Sequence, residues 1–382
     1  MDSPRALRPS LPLRLGSGTF LLLWCLLAAF PILWITVMSF RLPLDAFAVD
    51  HWQVISGPAT LAAGKGVTLV DILAGVLLVG LAFAAARRLP RWIGNKPNGA
   101  PRLLAWIVAL ALFATGFVVI GFVLLPPVLR GIDAALGLRP VLGLTVEHYK
   151  SVWVDQQFWR NFLNSMKVTA GVTALSLTVG TLAGYALSRT KSQLAFWILI
   201  VALIFRALPH SVLVTGYLPV FINSAEILRP ILGEHAPTLY GKPLAVIMVL
   251  VAINQPFTIW MLKSFFENIP AELDEAARVD GCTHFQAFRW VIMPVMWPGI
   301  LTTGLFSFLL GYNDFLVTSL LLDGSNQTMV PAIAGFFNRE TTTTDQVRAV
   351  AAAVSITAPL FLLVMVFQRR IVSGLTQGAV KG

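Results

Sequence analysis

The chain has 382 residues, of which 57% are hydrophobic and only 12% charged, with a mean hydropathy of +0.77. Soluble domains carry about a quarter charged residues, so the composition excludes an ordinary soluble protein. The formal net charge of +10 does not argue for nucleic acid either, because Lys and Arg gather at the ends of apolar runs instead of forming one stripe, as the positive-inside bias of a polytopic membrane protein requires.

Residues 1–18 form a basic leader with Arg5, Arg8 and Arg14. The apolar run Thr19–Phe40 is long enough to cross a hydrocarbon core of about 30 Å. It lacks a convincing small-residue cleavage site, so a retained signal anchor with a cytoplasmic leader is expected. Seven further spans are expected at Val67–Ala86, Leu103–Leu125, Asn161–Leu187, Leu194–Ile222, Pro243–Lys263, Val295–Leu322 and Ala349–Gln368. The inner loops then hold Arg87, Arg88, Arg91, Lys96 and Arg102, next Arg189 and Lys191, and finally Arg369 and Arg370. This count makes an all-α polytopic membrane protein of eight spans with both termini in the cytoplasm. Leu144–Trp153 (LTVEHYKSVW) is too short and polar to span, and its spacing suits an amphipathic segment on the outer surface. Trp153, Phe158 and Trp159 read as an interfacial aromatic cluster. Cys25 and Cys282 lie in unrelated settings, which suggests neither a disulfide nor a metal site.

Ile269–Pro298 is a polar, punctuated elbow between apolar runs. Pro270 suits a first helical turn, and Glu272, Asp274 and Glu275 crowd the positive end of the helix dipole. Asp274 can pair with Arg278 one turn on. Gly281 supplies a left-handed terminator, and Thr283 with Gln286 has the spacing of a capping box. Leu273, Ala276, Ala277 and Asp280 share one helical face, with Glu275 beside it. The inner-side position expected from topology leaves this face open to another protein.

Motifs for chemistry are lacking. There is no G-x-x-x-x-G-K-[ST] phosphate loop, no H-E-x-x-H, no G-x-S-x-G and no paired-cysteine motif, so no catalytic residue, metal ligand or cofactor is assigned to this chain. Asn254 and Gln255 in the sixth expected span, and Tyr312, Asn313 and Asp314 in the seventh, are candidates to line a solute path. Pairing between helices is their alternative role. An ion-gradient-driven carrier using Asp314 is one alternative function, and a membrane-embedded enzyme is another.

Glu275–Ala276–Ala277, three residues, Gly281, nine residues and then Val291–Ile292–Met293–Pro294 resembles the EAA loop of binding-protein-dependent ABC importer permeases. Val291 and Met293 depart from that pattern while keeping apolar bulk, and Asp280 before the glycine matches its usual form. Asn164–Ser165–Met166–Lys167 and the tail Gln368–Gly382 are similar to the carbohydrate-importer permeases, the tail to the maltose-type second permease subunit. The resemblance covers about Leu11–Leu44 and Leu144–Gly382.

It implies a six-helix permease core, with two extra transmembrane helices in the insertion 41–143 and the core proper at 144–382. It also implies a cytoplasmic (inner) membrane location and carbohydrate uptake. The implied partners are a second permease subunit in a heterodimer, two ATPase subunits that bind ATP and Mg, and an extracytoplasmic solute-binding protein. Leu273, Glu275, Ala276, Ala277, Asp280, Gly281 and Pro294 are then the ATPase-coupling residues. The glycine-containing tail 369–382 favours a flexible end by composition, whereas the resemblance places it between the ATPase subunits.

Overall fold

A computed structural model describes residues 11–93, 108–109, 112–113, 115–117, 119–208, 210–337 and 342–379. The helices that matter are α1 (Leu11–Ser39), α2 (Leu69–Ile93), α3 (Leu125–Leu136), α4 (Trp159–Arg189), α5 (Gln193–Arg206), α6 (His210–Ile222), α7 (Pro243–Glu267), α8 (Glu272–Val279), α9 (Met293–Asn313), α10 (Leu316–Leu321), α11 (Met329–Gly335) and α12 (Thr343–Ala379). The tail is helical through Ala379.

The expected eight spans are corrected to six. Among the described residues, six helices are long and apolar enough to cross a membrane: Leu15–Ser39, Thr115–Leu136, Trp159–Arg189, Pro243–Glu267, His284–Asn313 and Thr343–Met365. Two of the expected spans drop out and a third is displaced along the chain. The run expected at Val67–Ala86 lies in α2, whose apolar part, Leu69–Ala85, falls short of the ~20 residues a span needs. The expected Leu103–Leu125 span falls partly outside the described residues, and the qualifying helix sits later, at Thr115–Leu136. The single span expected at Leu194–Ile222 is instead two helices, α5 of 14 residues and α6 of 13, each about 20 Å long at 1.5 Å per residue. The sequence has Pro209 at this join, and a proline disfavours helix in the residue before it. The expected inner loop Arg87–Arg102 lies mostly outside the described residues.

The chain divides into two compact units. The first comprises Met1–Gly75, Val128–Asp155 and Phe336–Thr357. Its polar centre is Arg41, fully enclosed, whose guanidinium donates to the carbonyls of Val54 (2.7 Å) and Ile55. Asp45 accepts from the Ala59 and Thr60 amides at 3.0 and 2.6 Å. The short helix Glu147–Lys150 turns His148 inward, where Nε2 donates to the Arg41 carbonyl at 2.9 Å. Ser39 and Tyr149 hydroxyls meet at 2.7 Å. An isolated antiparallel bridge between Val67 and Leu142 closes the foot of the insertion. Burial holds the Arg41 pKa below its ordinary value, against the opposing pull of Asp45. Burial likewise holds His148 below the usual imidazole value, partly offset by its bond to the Arg41 carbonyl.

The second unit comprises Val76–Pro127, Gln156–Gly335 and Ala358–Gly382. Its centre is α4 packed along α7 and α9. Small residues make the close approach possible: a side chain at Gly180 would meet Thr258 at 2.5 Å, and one at Gly184 the Lys263 backbone at 3.0 Å. Small residues at such crossings allow the backbone-to-backbone packing on which membrane helices rely. Polar pairs add to it. Asn254 donates to Ser307 (2.8 Å) across the α7–α9 contact, and the Met329 amide donates to Ser165 (2.9 Å).

Candidate functional site

The elbow is built as local chemistry demands. α8 begins at Glu272, two residues after Pro270, with Glu272, Asp274 and Glu275 in its first turn. Gly281 has φ +90°, a conformation that a side chain resists. Its amide donates to Arg278 at 3.1 Å, and the Cys282 amide donates to Ala277 at 3.0 Å. The capping box is present: the Gln286 amide donates to Thr283 Oγ1 (3.3 Å), and the Thr283 amide donates to Gln286 Oε1 (2.8 Å). A π-helical turn, Ala287–Ile292, follows directly. It lies where Pro294, in the first turn of α9, has no N–H to donate backwards.

Two local readings change. Asp274 does not pair with Arg278. Its Oδ2 accepts from Arg189 Nε at 2.8 Å and its Oδ1 from the Tyr185 hydroxyl at 2.7 Å, both on α4. Arg189 also donates through Nη1 to the carbonyls of Ile269 (3.1 Å) and Phe266 (3.3 Å). One guanidinium therefore joins the end of α4 to the end of α7 and to α8. Below it, Tyr185 packs on Phe266 and Phe288, with ring centroids 5.4 and 4.8 Å apart. The second reading concerns Ala277, which is 5% exposed and turned into the chain with Asp274. The open face carries Leu273, Glu275, Ala276 and Asp280, together with Val279 at 88% exposure. Sequence reasoning missed Val279. Asp274 and Ala277 are three apart, so the anchoring of Asp274 to α4 rotates Ala277 inward with it.

The second site is a cavity of about 580 Å³ lined in part by Arg206, Asn254, Phe257, Asn313, Asp314 and Phe315. Of the candidate path residues, it gathers Asn254, Asn313 and Asp314. Gln255 and Tyr312 are not on its wall. Gln255 Nε2 reaches the Ser176 carbonyl at 3.5 Å, and Tyr312 is buried and stacked on Phe308. The Asn254 amide donates to Thr258 at 3.0 Å and to Ser307 at 2.8 Å, so its donors serve helix packing. Asp314 Oδ1 accepts from the Thr318 amide, in the first turn of α10, at 2.9 Å. Arg206 was missed. Its signal was a charged residue three positions before Pro209 within an apolar run of 29 residues, more than a crossing needs.

Known proteins resemble the chain over a range that includes the elbow. The family model described as binding-protein-dependent transport system inner membrane component matches residues 176–377. The chain is 32% identical over 241 residues to a diacetylchitobiose uptake system permease protein of Streptomyces coelicolor, covering 63% of this chain and 82% of that one. It is 31% identical over 295 residues to a trehalose transport system permease protein of Mycobacterium tuberculosis, covering 74% of this chain and 100% of that one. A trehalose/maltose transport system permease protein of Thermococcus litoralis is 30% identical over 240 residues, 62% of this chain and 82% of its own. The chain belongs to the family of binding-protein-dependent transport system inner membrane components.

Proposed function

We propose that this chain is the channel-forming permease subunit of an ATP-driven importer that moves a carbohydrate across the cytoplasmic membrane. It handles no ATP itself. Separate ATPase subunits grip α8, a second permease completes the channel, and a solute-binding protein delivers the solute from outside. Both termini and the elbow lie in the cytoplasm. The observation that carries this reading is the elbow's construction. A short helix, stopped by Gly281, presents an open face bearing Leu273, Glu275, Ala276, Val279 and Asp280, while Arg189 fixes its other face to α4 and α7. A pull on α8 is thereby transmitted to two spans as a rigid lever instead of being lost in a loose loop. The carbohydrate class is supported by relatives described as permeases for diacetylchitobiose and trehalose.

Asp314 is less suited to the coupling role an ion-driven carrier would require, because one oxygen of its carboxylate is engaged by the Thr318 amide. The test is co-expression with the ATPase and partner permease. Glu275→Lys and Gly281→Pro are expected to insert normally but to lose the ATPase on purification or to lose uptake. Full uptake with a stably bound ATPase in both variants would reject the coupling assignment.

A further inference from the structure

Arg206 ends α5 at the break before α6, and it lines the same cavity as Asn254. Asn254 is the twelfth residue of the 25-residue α7, so the cavity reaches the middle of a span on that side, while Asn313 on its other wall ends α9. A guanidinium at that depth is costly unless something pairs with it. Among the described residues Arg206 forms no ion pair. Its Nε is buried without a hydrogen-bond partner, and its charged carbon lies 4.7 Å from the centre of the Phe257 ring. Phe257 is itself held edge-on against Phe306, with centroids 5.9 Å apart. The aromatic pair supports a flat cation at the cavity wall. Discontinuous helices at mid-membrane are where transporters place their solute contacts.

Resting on the importer reading above, we propose that this chain carries its own solute contact at Arg206 and that the contact takes a saccharide bearing an acidic group. A planar guanidinium matches a carboxylate or sulfonate through two parallel N–H bonds, which a hydroxyl cannot reciprocate. Asn313, exposed on the same wall, offers a donor and an acceptor to ring hydroxyls, and Phe315 offers an apolar face to the ring itself. The Asp314 carboxylate on that wall has one oxygen held by the Thr318 amide and opposes the acidic group unless the solute places it on the Arg206 side. A cavity of about 580 Å³ lies within the size range of small-molecule sites.

The test uses the assembled importer, with Cys25→Ser and Cys282→Ser in this chain, cysteine-free partners and a reporter Leu309→Cys on the cavity wall. The reporter is labelled with anionic sulfonatoethyl and cationic trimethylammonioethyl methanethiosulfonate. The anionic-to-cationic rate ratio is expected to fall roughly fivefold on adding Arg206→Gln and to hold with Arg206→Lys. With Arg206 intact, a disaccharide containing glucuronic acid is expected to slow labelling, and its neutral glucose counterpart is not. A ratio unmoved by Arg206→Gln overturns the proposal. Equal protection by the two sugars also overturns it, and that arm needs no Arg206 variant to fold. Failure of the importer reading is seen separately, as loss of the ATPase from the purified complex with Arg206 intact.

Discussion

At Asp274 a single carboxylate takes a hydroxyl from Tyr185 and a guanidinium from Arg189, and through Arg189 it is linked to the last carbonyls of α7. The ion pair is partly enclosed, with side chains 21% and 15% exposed. Breaking it with Asp274→Asn or Arg189→Gln is expected to cost about 1–3 kcal/mol, below the value for a fully buried pair because water still reaches it. The two changes together are expected to cost little more than either alone, as a double-mutant cycle on thermal unfolding would show. ATP-coupled uptake is expected to fall several-fold in each variant while span insertion persists. His148 makes a prediction about acidity. Its folded pKa is depressed by burial, so between that value and the unfolded value near 6.5 the unfolded chain binds more protons. Stability of the first unit is therefore full above about pH 6.5 and declines as pH falls below it. Hydrogen exchange across residues 40–67 is expected to quicken below that pH in the native chain, and His148→Gln is expected to flatten the dependence.

Among the elements, the elbow and the insertion behave differently because one is held by tertiary pairs and the other by its foot. Gly281 has open space where a Cβ would stand, so Gly281→Ala meets no clash but keeps the strain of φ +90°. That substitution is expected to cost about 1–2 kcal/mol by thermal unfolding. Gly281→Pro adds an incompatible φ to the same position and is expected to disrupt the turn altogether. In the insertion, the Val67 amide donates to Leu142 at 2.8 Å and the Val141 amide donates to Val67 at 3.0 Å. Chain ends this close can be joined by a short turn. Replacing residues 69–138 with a brief Gly–Ser linker is therefore expected to leave the Arg41–His148 network folded, with hydrogen exchange across residues 40–67 unchanged. Faster exchange there in the shortened chain would show that the insertion holds the network together.

Across the whole molecule, what the sequence revealed was what short-range rules control. The capping box at Thr283 and the glycine stop at Gly281 depend on residues within one turn, and both are present as read. The partner of Asp274 could not be read, because Arg189 stands 85 residues away in the chain and nothing local marks it against the nearer Arg278. The inward turn of Ala277 follows from that same distant pair. The eight-span count failed where a smooth apolar run concealed a break, since hydropathy averages over Arg206 and Pro209 instead of stopping at them. Among the candidate path residues, Asn254, Asn313 and Asp314 meet at one cavity. Gln255 and Tyr312 are turned into the packing by helix rotation, which apolar surroundings on all sides leave undetermined.

The central claim is that this chain moves its solute by receiving another protein's ATP cycle through α8. The most direct measurement is saccharide uptake into proteoliposomes holding the full complex, with the binding protein outside and ATP supplied to the ATPase side. Uptake is expected to require ATP hydrolysis, to survive ionophores that collapse ion gradients, and to vanish with Glu275→Lys. Uptake that continues without ATP and stops when the ion gradient is removed would contradict the account.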